Sequence, residues 1–461
     1  MLDVNNPFNG QLIEQIELNS AEDVERALAR AHALVEDRSA WLPAHQRVEI
    51  LERAVQIMGD QIEELTQIAA QEGGKPYADS QVEVHRAING LKLAIEHIPQ
   101  IKGEQIPMGH TASSANRLAF SHREPIGVVS SISAFNHPLN LIVHQTVPAV
   151  AVGAPVIIKP AQTTPLSCLK FVSILKEAGL PDGWCQALVV ENEDAEKLVV
   201  DERVNFFSFI GSANVGWMLR SKLSPGTRCA LEHGGAAPVI VDQSAPIDAV
   251  VDSVLKGGFY HAGQVCVSVQ RVYVHESACE ELANKLADKA RNLIVGDPLD
   301  PKTEVGPLIL PREVDRVAQW VEQARDSGAK VLCGGEKLSD TCYMPTVLLN
   351  PDESTTVSQK EIFGPVVCIY SYTDKSDAIA RANSLPFAFQ ASIYSNDLTD
   401  VLDTSNKLNA TAVMVNDHTA FRVDWMPFGG RDASGLGMGG IQYSMHEMTR
   451  EKMLVIKSDV L

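Results

Sequence analysis

The feature that most limits what this chain can become is a rhythm that begins at residue 126. Short, continuously apolar runs at 126–129, 155–158, 187–190 and 206–210 are separated by stretches of helical spacing, such as 166–178. Strands that are apolar throughout, rather than alternating, have both faces buried. That pattern predicts a parallel sheet covered on both sides by helices. The rhythm starts again at 237–241 and continues through a strand at 271–274, helices near 278–291 and 311–327, and strands near 366–370 and 412–415. A chain of 461 residues exceeds what one core usually organises, so two α/β domains are expected.

The flanks read differently. Residues 3–19 predict two short strand pieces about the turn Asn9-Gly10. Ser20, with an acid at Asp23, marks a helix start. Leu51, Val55, Met58, Ile62, Leu65 and Ala69 recur at three- and four-residue steps. They predict one long amphipathic helix closed at Gly73-Gly74, followed by another over about 77–98. Residues 107–125 become polar and then roughly alternate, which predicts an exposed hairpin; 451–457 predicts an exposed strand. Uncovered strand edges are a liability, so a homodimer or homotetramer is expected.

Composition removes several classes. A formal charge of −19 disfavours nucleic acid and anionic membrane surfaces as partners. No stretch approaches 18 uninterrupted apolar residues, and the N-terminus lacks the basic and apolar regions of a signal peptide. The eight cysteines are scattered without a C-x-x-C pair, so no metal site is expected, and reduced thiols in a cytoplasm are.

Four loops and one cysteine carry candidate chemistry. Gly263-Gln264-Val265-Cys266 follows a glycine-broken apolar run; Cys266 is either a nucleophile approached through a tight backbone or inert packing. Gly211-Ser212, directly after a strand, present backbone N–H groups to a phosphate or simply make a turn. Lys159, at the end of another strand, sits where such sheets bind ligands, or flanks a helix after prolines. Glu232, before Gly234-Gly235, is a general base or a solvated acid. Asn136 offers an amide N–H to an oxyanion or makes a turn before Pro138.

Together these residues resemble the aldehyde dehydrogenase superfamily. The likeness spans nearly the whole chain, through F-N-x-P at 135–138, K-P-A-x-x-T-P at 159–165, F-x-G-S-x-x-x-G at 209–216, E-x-G-G at 232–235, G-Q-x-C at 263–266, E-I-F-G-P at 361–365 and P-F-G-G at 427–430. The resemblance implies a Rossmann-type cofactor domain (1–106 and 126–233), an α/β catalytic domain (234–428) and a β-strand oligomerisation arm (107–125 and 440–461). It implies that Cys266 attacks the aldehyde carbon, that Asn136 and the Cys266 N–H hold the oxyanion, and that Glu232 activates water to release the acid. It places Lys159 and Gln162 at the adenosine ribose, Gly211 and Ser212 near the pyrophosphate, and Glu361 and Phe363 near the nicotinamide ribose. Phe135 falls beside the cofactor too, and His233 either does so or only fills space.

The chain departs from the common pattern at several positions. Residue 162 is often Glu, which repels a 2′-phosphate; Gln162 removes that repulsion and leaves NAD and NADP both open. His233 stands where Leu is commoner. Gly439 occupies a position where the family often has a glutamate proposed as a proton relay. Asn136–Asn140 and Asn416–Asp424 look most like the lactaldehyde, glyceraldehyde and phosphonoacetaldehyde dehydrogenase branch, which acts on small, polar or anionic aldehydes. His137, Arg422 and Phe428 are then substrate contacts, although Arg422 is equally readable as an ion pair with Asp424 or Asp417. Two alternatives stand beside free-acid formation: transfer of the thioester to coenzyme A, and a non-catalytic binding protein on the same scaffold.

Overall fold

The computed structural model describes residues Met1 to Leu461 and contains both sheets that the rhythm predicts. In the first, Val128–Ile132, Val156–Lys159, Cys185–Ala187, Val204–Ile210 and Arg228–Glu232 run parallel, and Gly435–Leu436 closes one edge antiparallel. Counted in chain order, the parallel strands stand 3-2-1-4-5. The order reverses between Val128–Ile132 and Val204–Ile210, and doubly wound sheets bind ligands beyond the carboxyl ends of such a pair. The loops there begin at Ser133 and Gly211.

The second sheet has seven strands. Thr346–Leu349, Val366–Tyr372, Arg271–His275, Pro238–Val241, Gln390–Tyr394 and Ala412–Val415 lie side by side and parallel, with Lys330–Cys333 antiparallel on one edge. Each sheet has its own core, since the two largest groups of mutually packed apolar side chains, 48 and 35 residues, are separate. Side chains such as Leu51, Met58 and Leu91 are completely buried, and each contributes about 1.5–3 kcal/mol by leaving water.

The chain crosses between sheets through residues 233–237. It leaves the carboxyl end of Arg228–Glu232 and enters the amino end of Pro238–Val241. Loops at the carboxyl edge of the first sheet therefore face loops at the amino edge of the second. Cys266 and Glu361 both belong to segments that precede strands of the second sheet.

Three expectations need correction. The long helix is two helices, Ala44–Asp60 and Ile62–Gly73, broken at Gln61 (φ −112°, ψ 21°). Gly59 and Asp60 are weak helix formers, and a change of direction there lets both segments pack on Tyr77–His97 and Leu166–Glu177. The strand expected at 187–190 is Cys185–Ala187, shifted toward the amino end. The hairpin at 107–125 is reduced to a two-residue pairing of Gln105–Ile106 with Arg117–Pro125. The main partner of Arg117–Pro125 is the tail strand Thr449–Lys457, in an unbroken nine-residue antiparallel register that a local turn cannot match. The capping box at Ser20 and Asp23 forms as expected.

Candidate active site

The facing loops enclose a cavity of about 900 Å³. It is lined by Asn136, His137, Glu232, Cys266, Arg422 and Phe428, and also by Phe135, Gly211, Ser212, His233, Glu361 and Phe363. Residues read from seven separate stretches of sequence thus share one space. Lys159 and Gln162 do not line it, although their neighbours Ala161 and Thr163 do.

The nucleophile loop is built on an uncommon backbone. His261, Ala262 and Gly263 have consecutive positive φ values of 48°, 53° and 70°. Two of them are not glycine, and each such residue costs on the order of 1 kcal/mol or more. At Gly263 a side chain is impossible, because a Cβ would stand 2.1 Å from the Gly364 carbonyl oxygen. Gln264 holds the loop in place. Its amide donates to the carbonyls of His261 and Pro307 at 3.3 and 3.2 Å, and its Oε1 accepts from the Ile309 N–H at 3.0 Å. Asn136 Nδ2 donates to the Gln264 carbonyl at 2.9 Å, which fixes that amide beside the loop and leaves its second N–H unspent.

Burial pushes the Cys266 thiol up to about 12, helped by the carboxyl group of Glu361 and opposed by Arg422. Burial raises Glu232 to about 7, against the pull of Arg422. Glu361 rises to about 8 for the same reason, and its Oε1 is buried without a hydrogen-bond partner. The site therefore holds a neutral thiol at rest beside a carboxyl group that exchanges protons near neutrality. His137, buried, is pushed well below the usual imidazole range and stays neutral.

His233 is neutral too, its value lowered by burial. Its Nδ1–H donates to the Gly211 carbonyl at 2.9 Å, and the ring lies 5.8 Å from those of both Phe209 and Trp217. This residue pins the turn at Gly211-Ser212. Gln162 donates to Glu191 Oε2 and to the Val190 carbonyl at 3.0 and 3.3 Å.

Arg422 makes neither of the ion pairs considered for it. Asp424 is taken by Arg86 in a forked pair at 2.7 and 3.1 Å and by His144 Nε2 at 2.9 Å. Burial would raise Asp424, but His144 and Arg86 hold it far below the usual carboxylate range. Arg422 instead lies over the Phe428 ring, 3.6 Å from its centroid. Its Nη2 approaches His144 Nδ1 at 3.4 Å, and its Nε is buried without a partner. A guanidinium lacking a carboxylate partner thus borders the cavity.

Several supporting residues gave no sequence signal. Glu83 Oε1 accepts from the Leu139 and Asn140 N–H groups at 2.9 and 3.0 Å, and its other oxygen pairs with buried Lys75. That clamp anchors the loop carrying Asn136 and His137. Glu72 does the same for Leu166 and Ser167 at 2.7 and 2.8 Å, at the start of the helix that follows the Lys159 loop. A buried acid at helical spacing was the only available sign, and solvated acids share it.

The chain belongs to the aldehyde dehydrogenase family, whose family description matches residues 1–454. It is an NAD(P)-dependent oxidoreductase that acts on an aldehyde. It is 36% identical over 456 residues to a 3-sulfolactaldehyde dehydrogenase of Priestia aryabhattai, covering 99% of this chain and 94% of that one. It is 36% identical over 460 residues to a lactaldehyde dehydrogenase of Methanocaldococcus jannaschii, covering 99% and 97%. Among solved structures, the glyceraldehyde-3-phosphate dehydrogenase GapN of M. jannaschii, complexed with NADP, superposes with a TM-score of 0.94 at 36% identity over 99% of both chains.

Proposed function

We propose that the enzyme oxidises a small aldehyde to its carboxylic acid with Cys266 as nucleophile, Asn136 as oxyanion donor and Glu232 as base. The observation that carries this reading is that one cavity holds a thiol, an amide with an unspent N–H and a carboxyl group near neutrality. The Cys266 thiol gives up its proton to water as its Sγ bonds to the aldehyde carbon. The oxygen that becomes negative accepts from Asn136 Nδ2 and from the Cys266 N–H. Bound NAD(P) supplies the acceptor for the hydride that leaves this carbon. The Glu232 carboxylate takes a proton from water as that water attacks the Cys266 thioester; the carbon–sulfur bond breaks, Glu232 returns the proton to the departing Cys266 thiolate, and the acid is released.

Gly211, Ser212 and Glu361 on the cavity wall fit a dinucleotide. The Gly211-Ser212 turn leads into the helix Ala213–Arg220, which suits a pyrophosphate. The unpartnered Oε1 of Glu361 suits ribose hydroxyl donors. Phe135 and Phe363, edge to face at 5.9 Å, line the cavity together.

The substrate is small and polar or anionic. Arg422, free of carboxylates, and neutral His137 face it, with Phe428 beneath the guanidinium. The named relatives act on lactaldehyde and 3-sulfolactaldehyde, which agrees with this chemistry.

Residues 1–106 and 126–233 serve as the dinucleotide-binding domain and 234–428 as the catalytic domain. The segments 107–125 and 440–461 form an oligomerisation arm of a cytoplasmic homo-oligomer. Met453, Leu454, Val455 and Ile456 are 57, 46, 44 and 40% exposed, so both faces of their strand await a cover. No helix is long and apolar enough to cross a membrane.

A panel of neutral, hydroxylated and anionic short aldehydes, run with NAD and with NADP, tests the reading. Cys266→Ala should abolish nicotinamide reduction while retaining cofactor binding. Substantial turnover by this variant would remove Cys266 from the mechanism.

A further inference from the structure

The loops after Val156–Lys159 and Cys185–Ala187, neighbouring parallel strands, meet beside the groove that fits the dinucleotide. Three side chains gather where the loops meet. Lys159 is 5% exposed, and the one acceptor its ammonium reaches is the Pro160 carbonyl at 3.5 Å. Gln162 has no charge to offer, but its amide donates to Glu191 Oε2 at 3.0 Å and to the Val190 carbonyl at 3.3 Å. Glu191 comes from the other loop, and it is the carboxylate whose field reaches Lys159.

The residues around Glu191 reinforce its sign. The loop reads Glu191-Asn192-Glu193-Asp194, with Glu196 two positions further. Lys222 pairs with Glu196, and Lys197 is drawn off to Glu25. No cation pairs with Glu191, Glu193 or Asp194. The carboxylate that Gln162 lacks is thus supplied from the adjacent strand, and Gln162 is the residue that holds it there.

We propose, given a dinucleotide in that groove, that Glu191 sets the cofactor preference and that the enzyme selects NAD over NADP. A carboxylate accepts hydrogen bonds from vicinal ribose hydroxyls, whereas a 2′-phosphate at the same place would bring a second anion against three uncompensated acids. Lys159 alone supplies one positive charge there, and its donors are satisfied equally by ribose oxygens.

Binding is read directly, without aldehyde, by titrating NAD and NADP into the full chain and following calorimetric heat. The wild type should bind NAD at least about tenfold more tightly than NADP, the ratio that one to two kcal/mol of repulsion gives. Glu191→Ser keeps a residue that can cap the short helix at Asn192–Ala195. It should narrow or invert the ratio by about tenfold, mainly by tightening NADP. Raised salt should narrow the wild-type ratio, and narrow that of the variant less. Equal or tighter binding of NADP by the wild type overturns the proposal, as does a ratio indifferent to Glu191→Ser. If neither nucleotide binds, the groove assignment itself fails; if both bind without preference, only this proposal does.

Discussion

The carboxyl group of Glu232 rests on the bare backbone of Gly439: a Cβ at residue 439 would stand 2.0 Å from Glu232 Oε1. Gly439 is also tied to Phe428, donating to its carbonyl at 2.6 Å and accepting from its N–H at 3.0 Å. The seat is therefore fixed, and its φ lies outside the left-handed region, so only space forbids a side chain. Gly439→Ala should push Glu232 out of its seat. The first turnover's burst of reduced nicotinamide should survive, while steady-state turnover falls roughly ten- to a hundredfold. Rapid-mixing absorbance separates the two phases, and equal losses in both would mean that the seat does not serve the base.

Glu232 titrates near 7 because burial disfavours its charged form. Only the ionised carboxylate accepts a proton, so thioester hydrolysis should weaken as pH falls through 7, by about tenfold per unit below it. Glu232→Gln should flatten that limb and let a Cys266 thioester accumulate, which intact-protein mass spectrometry detects. A limb unchanged in Glu232→Gln would assign the base elsewhere.

Arg422 should govern which aldehydes are accepted. Arg422→Gln is expected to lower kcat/KM for anionic short aldehydes by roughly tenfold or more, relative to neutral aldehydes of the same length. Cofactor affinity should not move. A uniform loss across the panel would instead make Arg422 a support for Phe428.

Glu72 links stability to pH. Burial raises its carboxyl group to about 7, above the unfolded value, even though two backbone N–H groups pull it down. Its folded form is favoured while it carries the proton. The stability it provides is full below about 4.5, is lost as pH rises toward 7, and is absent above that. The swing is roughly 3 kcal/mol. Glu72→Gln removes the charge and keeps one acceptor oxygen for the two N–H groups of Leu166 and Ser167, so whatever its Tm at pH 5, its Tm relative to wild type should rise between pH 5 and pH 8. Parallel Tm curves would rule the linkage out.

The sequence was legible wherever a residue's role follows from its place on a strand. Ile132, Lys159, Ile210 and Glu232 each end a strand of the first sheet, so the loops after them converge by topology alone. Cys266 and Glu361 were legible through short motifs that precede strands of the second sheet. What stayed hidden was pairing at a distance. Nothing near Glu83 says that it caps the helix Asn140–Val152, and nothing near Arg422 says that Asp424 already belongs to Arg86 and His144. Apolar periodicity across Gln61 persists although the backbone turns there, because both helices bury the same side. The hairpin failed for the converse reason. Alternation in 117–125 correctly gave a strand, but its partner lay at the other end of the chain.

That partnership bears on how the molecule is made. Arg123 and Thr449, joined at 2.9 Å within the paired strands, are separated by 326 positions. A ribosome adding about 5–20 residues each second exposes the earlier strand for tens of seconds before its mate emerges. During that interval Arg117–Pro125 is an open edge on a partly made protein. Its basic and polar side chains, Arg117, Ser121, His122 and Arg123, discourage neighbouring nascent chains on the same message from pairing with it.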